Sequence, residues 1–278
     1  MYTTLISAEQ LAALPPAQTV ILDCRFKLTD PGWGQQVYDA GHLPGAHYLN
    51  LDYHLSGTKT GQNGRHPLPD GQRLAVVLGA FGITPSTQVV AYDDAGGLYA
   101  SRAWWLLKWL GHDAIAVLDG GVAAWQANGG QLTADAPASH PTRFAPRSAI
   151  CDSVDVDAVL ANLSQNDFLI VDARSQERFR GEGETMDPVG GHIPGAANRF
   201  FQDNLSGDGR FKPAEQLRQE WLALLGGREP ADVVHQCGSG VSACVNLLAM
   251  AHAGLAGSRL YPGSWSEWCS DPARPVAR

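Results

Sequence analysis

The segment His235-Gln236-Cys237-Gly238-Ser239-Gly240-Val241-Ser242-Ala243 sets a cysteine at the end of an apolar, β-branched run and directly before the apolar pattern of a helix. Gly238 and Gly240 permit tight left-handed turns that point successive N–H groups inward, and a helix N-terminus adds partial positive charge. Such a loop is a nest for an anion. It suits Cys237 to nucleophilic work, because it stabilises either a thiolate or the charge of a persulfide formed on it. A buried structural cysteine at a strand end is the plainer alternative. Cys244, about two helical turns further on, reads as buried, with a redox role beside Cys237 as its alternative. With Cys24, Cys151 and Cys269 the cysteines number five, odd and scattered, which fits a reducing compartment better than a disulfide framework. No metal centre is expected, since no second Cys or His pair has zinc-ligand spacing.

The elements that must position this loop repeat along the chain. Leu22-Asp23-Cys24-Arg25 returns as Val171-Asp172-Ala173-Arg174, and Gly41-His42-Leu43-Pro44-Gly45-Ala46 returns as Gly191-His192-Ile193-Pro194-Gly195-Ala196, an offset of 192 − 42 = 150 residues. Val89-Val90-Ala91-Tyr92-Asp93 matches Val233-Val234-His235-Gln236-Cys237, and Asp119-Gly120 with Trp125 matches Pro262-Gly263 with Trp268. Each half alternates short apolar runs (19–22, 89–92 and 114–118; 168–171, 231–235 and 259–261) with helical patterns (98–110; 213–225 and 241–253). That alternation predicts an α/β fold, a parallel sheet flanked by helices in each of two tandem domains. Pro137, Pro141 and Pro146 mark an extended linker, giving domains over residues 1–136 and 149–278 with a linker over 137–148. His42 and His192 read as turn residues ahead of Pro44 and Pro194. Trp104, Trp105, Trp265 and Trp268 read as packing for the cores and the domain interface.

Composition narrows the function classes. A formal net charge of −8 without a Lys/Arg cluster argues against nucleic acid as a partner. The start of the chain lacks a basic, apolar leader and no run approaches a membrane span, so a cytoplasmic location away from membranes is expected.

The tandem repeat, the paired His-x-Pro-Gly turns and the Cys-Gly-Ser-Gly-Val loop together resemble the rhodanese family, the 3-mercaptopyruvate and thiosulfate sulfurtransferases. The resemblance covers nearly the whole chain. It implies two rhodanese-like domains, the second catalytic and the first without a reactive cysteine, as Asp93 in the matching position indicates. It implies a sulfurtransferase without cofactor, which moves sulfur from 3-mercaptopyruvate or thiosulfate through a Cys237 persulfide to cyanide, a small thiol or a thioredoxin-like protein. A sulfur-relay or binding module loaded by a partner protein is the alternative. The family's relay of Cys, Ser and Asp maps onto Cys237, Ser239 and Asp52, which implies an active site between the domains. Ser239 as a plain turn residue and Asp52 as a loop cap are the alternatives for those two.

Substrate contacts are expected from Arg178 and from Gly238, Gly240, Val241 and Ser242. The neutral Gly238-Ser239-Gly240 stretch resembles the mercaptopyruvate enzymes, whereas thiosulfate enzymes carry basic residues there. One departure stands out. Mercaptopyruvate enzymes usually carry a second arginine nine residues after the first, and this chain has Asp187 there, with Arg180 and Arg199 as possible replacements. A cysteine phosphatase on this fold is excluded on chemical grounds, because no residue from 238 to 255 is the arginine such a loop needs.

Overall fold

The computed structural model describes every residue except Ser139. Its elements run β1 (Leu5–Ile6), α1 (Ala8–Ala12), β2 (Thr19–Asp23), α2 (Trp33–Ala40), β3 (Ala46–Tyr48), α3 (Gly71–Ala80), β4 (Gln88–Tyr92), α4 (Ala100–Trp109), β5 (Ile115–Leu118) and α5 (Gly121–Ala127) through the first half. The second half follows with α6 (Val156–Gln165), β6 (Leu169–Asp172), α7 (Gln176–Phe179), β7 (Ala197–Asn198), α8 (Ala214–Leu225), β8 (Val233–Gln236), α9 (Ala243–His252), β9 (Arg259–Leu260) and α10 (Ser264–Trp268). Among the described residues no helix is long and apolar enough to cross a membrane.

The chain forms two compact units that do not follow the halves strictly. One comprises residues 1–57, 69–150 and 207–211; the other comprises 58–68, 151–206 and 212–278. In the first unit the sheet is parallel with order β1-β5-β4-β2-β3, and in the second it is parallel with order β7-β6-β8-β9. Matching β2, β3, β4 and β5 with β6, β7, β8 and β9 gives the same strand order in both units, so the repeat read from the sequence is a repeat of topology. The strands β4 and β8 are buried along their whole length, as strands covered on both faces must be. β3 and β7 are edge strands of three and two residues, too short to show a periodicity in sequence.

The repeated Asp-x-Arg and Gly-His signals are parts of one joint. Asp23 and Arg25 form a buried pair, with Nη2 to Oδ2 at 2.6 Å, and the same guanidinium donates to the Gly41 carbonyl at 2.7 Å. Asp172 and Arg174 repeat this at 2.7 Å, and Arg174 donates to the Gly191 carbonyl at 2.7 Å. Each pair clamps a strand end to the following turn, and its forked geometry satisfies the charges that burial would otherwise penalise. His42 stacks on Tyr38 and His192 on Phe179, with ring centroids 3.9 and 3.7 Å apart, and each Nδ1 meets the carbonyl of its stacking partner at 2.8 Å. Trp104 donates Nε1–H to the Thr3 carbonyl, Trp265 to Val189 and Trp268 to Pro275.

The proline-rich stretch 137–148 lies along the first unit, apart from Ser139, which falls outside the described residues. Thr142 donates to the Gly79 carbonyl, Phe144 is buried and Arg147 donates to the Leu110 carbonyl. In sequence the first compact unit runs on to Ile150, and the segments 58–68 and 207–211 each belong to the unit built mainly from the other half.

Candidate active site

Cys237 is the first residue after β8, 1% exposed, on the loop 237–242 that leads into α9. The start of α10 caps this loop. The Cys237 N–H donates to Ser264 Oγ at 3.1 Å, Ser264 Oγ donates to the Tyr261 carbonyl at 2.9 Å, and the Cys237 and Gly238 carbonyls accept from the N–H groups of Trp265 and Ser266. Gly240 has φ 75°, and a Cβ there would stand 2.3 Å from the Pro262 carbonyl oxygen, so the backbone turn and the close approach both require glycine. Cys244 is fully buried on α9 and donates Sγ–H to the Gly240 carbonyl at 3.4 Å, which supports the loop from beneath.

The matching loop of the first unit shows what such a turn does with an anion. Asp93 occupies the cysteine's place, and its Oδ1 accepts from Ala95 and Gly97 N–H and its Oδ2 from Tyr99 and Ala100 N–H, all at 2.8–2.9 Å. Burial pushes this carboxyl above its ordinary range while the four amides pull it back down. Four amides converging on one side chain are the nest expected around Cys237, here filled by the chain's own carboxylate.

Two guanidinium groups stand over Gly238. A Cβ on that residue would lie 2.8 Å from Arg65 Nη2 and 3.6 and 3.7 Å from Arg178 Nη1 and Nη2. Arg178 reaches the loop from α7 and is held by Glu184, Nε to Oε2 at 3.0 Å and Nη2 to Oε1 at 3.1 Å, and by Asp187 Oδ2 at 3.2 Å. Arg65 Nη1 pairs with the other Asp187 oxygen. The side chains of Glu184 and Asp187 are largely covered, and their pKa values move apart. Burial raises both, but bonds from Met186 N–H and Arg178 bring Glu184 below its ordinary range, whereas at Asp187 burial outweighs Arg65 and leaves it raised.

Ser239 meets a histidine that the sequence reading did not single out. His66 Nδ1 lies 2.7 Å from Ser239 Oγ, and both residues are buried. Arg65 and His66 belong to the segment 58–68, drawn from the first half into the second unit. Their nearest signal in sequence is the run Gly64-Arg65-His66-Pro67, whose distance from residue 237 conceals the contact. Arg180 and Arg199 are occupied elsewhere, Arg180 with Glu182 on the surface and Arg199 with Glu220. Asp52 lies in the first unit, in the turn after β3, where its N–H donates to Asn50 Oδ1 at 2.8 Å. Val241 and Ser242 complete the loop, and their carbonyls accept from Cys244 and Val245 N–H.

Comparison with known proteins agrees with this architecture. The rhodanese-like domain model matches twice, over residues 7–128 and 155–271. A probable 3-mercaptopyruvate sulfurtransferase from Pseudomonas aeruginosa is 50% identical over 276 residues, 98% of this chain and 97% of that protein. A putative thiosulfate sulfurtransferase from Mycobacterium tuberculosis is 39% identical over 287 residues, 99% and 96% of the two chains. Among solved structures, the 3-mercaptopyruvate sulfurtransferase from Leishmania major superposes with a TM-score of 0.83 at 31% identity, covering 96% of this chain and 74% of that one. The chain belongs to the rhodanese family and is one of its two-domain sulfurtransferases.

Proposed function

We propose that the protein transfers sulfur from 3-mercaptopyruvate, in preference to thiosulfate, to a thiol, cyanide or a thioredoxin-like acceptor by way of a persulfide on Cys237. The observation that carries this reading is the pair of guanidinium groups converging over Gly238, beside Cys237, since they fix the donor's carboxylate next to the attacking sulfur.

The Cys237 thiolate attacks the donor's mercapto sulfur. The S–S bond forms as the C–S bond breaks, and the electron pair leaves on pyruvate as its enolate. One proton completes pyruvate, and Ser239, with His66 at 2.7 Å behind it, supplies that proton. The amides of Gly238, Gly240, Val241 and Ser242 hold the persulfide charge, as the Asp93 loop holds its carboxylate. The acceptor then attacks the outer sulfur and regenerates the thiolate.

Charge decides between the donors. Arg65 and Arg178 face Glu184 and Asp187, so the cluster is balanced before anything binds. A donor with one carboxylate adds one negative charge to that balance and thiosulfate adds two, with no basic residue in the loop to offset the second. Steady-state kinetics with both donors test the reading. A higher kcat/KM is expected for 3-mercaptopyruvate, and equal or better use of thiosulfate would overturn the donor preference.

A further inference from the structure

Arg65 occupies a place that its position in sequence gives no reason to expect. Gly64 has φ 81°, and a Cβ on it would stand 2.7 Å from the Gly263 carbonyl oxygen, so this glycine lets the segment lie against the cap of the Cys237 loop. The Arg65 N–H then donates to Ser266 Oγ at 3.0 Å, on the same short helix whose first turn holds the Cys237 and Gly238 carbonyls. With its backbone pinned there, the side chain crosses Gly238 to reach Asp187. Its Nε is buried and meets no hydrogen-bond partner among the described residues, and its Nη2 is the atom nearest the Gly238 Cβ position. Arg178 presents Nη1 to the same point, 3.6 Å away, while its Nε and Nη2 are taken by Glu184 and Asp187.

We propose that Arg65 is the second arm of the substrate clamp and that Asp187, standing where related enzymes carry the second arginine, is the positioning residue that holds Arg65 and Arg178 side by side. Two guanidinium groups this close repel each other, and a carboxylate with one oxygen on each removes the repulsion and fixes both planes. The remaining donors, Arg65 Nη2 and Arg178 Nη1, face the same point and give one N–H to each oxygen of a carboxylate. The charge pair is thus exchanged between two chain segments: the acid sits on the α7–β7 connection and the base comes from residues 58–68. Gly238 follows from this arrangement. Its φ is not in the left-handed region, so the glycine serves to leave room for the Arg65 guanidinium.

This inference deepens the reading of the site as one for a carboxylate-bearing sulfur donor, and its test needs no sulfur donor. Iodoacetate and iodoacetamide both alkylate a thiolate, the S–C bond forming as iodide leaves, and differ in one carboxylate. Their rate constants at Cys237, resolved by peptide mass spectrometry, give a ratio that reports the clamp. Arg65→Ala is expected to lower the iodoacetate to iodoacetamide ratio about tenfold and to raise KM for 3-mercaptopyruvate by a similar factor, with kcat changed less. A Cβ at Gly238 is crowded only by the far end of the Arg65 side chain, with Arg178 at ordinary contact distance, so Gly238→Ala should fold, displace the Arg65 guanidinium and lower the ratio likewise. Arg65→Asp should lower the ratio further, and the exchange Arg65→Asp with Asp187→Arg should bring it back to within about threefold of the unmodified protein. An unchanged ratio in Arg65→Ala and Gly238→Ala overturns the second arm, and failure of the exchange to recover the ratio overturns the role of Asp187. A fallen ratio in a protein that does not turn over 3-mercaptopyruvate leaves the clamp standing and removes the donor.

Discussion

His66 Nδ1 and Ser239 Oγ lie 2.7 Å apart, joining residues 173 positions distant in sequence at the loop that carries Cys237. A serine hydroxyl alone is a weak acid, and a histidine that reprotonates its oxygen as the hydroxyl gives up its proton makes it a usable one. His66→Ala and Ser239→Ala are each expected to lower kcat about 10²-fold with little change in KM. The double variant should be no worse than either single one, because the two act as a unit. Additive losses in the double-mutant cycle would dissolve the pairing.

Cys237→Ser is expected to abolish sulfur transfer and leave the fold intact, since a hydroxyl fills the same space but does not accept sulfur. Selectivity among the cysteines has a physical basis. Burial pushes Cys24 well above the ordinary thiol range, and burial together with Asp187 pushes Cys269 up to about 11, so both remain protonated near neutrality. Mass spectrometry after donor treatment should show one added sulfur on the Cys237 peptide. Finding it on Cys24, Cys151 or Cys269 would remove the assignment.

Arg178→Ala should raise KM for both donors through loss of a charge-assisted bond to the substrate anion, about 1.5–3 kcal/mol or roughly 10- to 150-fold in kcat/KM. Kinetics with each donor check this. A loss confined to one donor would show that the other binds elsewhere.

A fragment beginning at Ser148 should be nearly inactive. It lacks residues 58–68, which belong to the second compact unit and bring Arg65 and His66 to the loop. Turnover by the folded fragment at the rate of the whole chain would contradict that contribution.

Acid stability should carry the signature of His235. This residue is fully buried on β8 against Trp221 and Met250, and burial pushes its pKa down to about 3. The unfolded chain takes up a proton near pH 6.5 that the folded chain refuses, so stability is fully present above about pH 6.5. It is lost as the pH falls toward about 3, at up to ~1.4 kcal/mol per pH unit. Chemical denaturation from pH 7 to pH 4 should show this slope, and His235→Leu should flatten it.

The sequence by itself determined the doubled α/β architecture, because the repeated signals are local. Asp-x-Arg at a strand end, Gly-His-x-Pro-Gly at the next turn and a Cys-Gly-Ser-Gly loop before a helix each act over a few residues, and short-range chemistry is written in short-range spacing. It also pointed to Cys237 as the candidate nucleophile and to Arg178 as a candidate anion contact, through the loop and helix that carry them. What only the tertiary structure decided is the remainder of the site. Arg65 and His66 reach Gly238 and Ser239 because a glycine at residue 64 lets their segment pack against residue 263, a contact across about two hundred positions that no periodicity reports. The missing arginine at Asp187 had no local replacement, since Arg180 and Arg199 pair with Glu182 and Glu220. The guanidinium that pairs with Asp187 comes instead from residues 58–68, a segment folded in from the other half, where charge complementarity is satisfied in space and not along the chain.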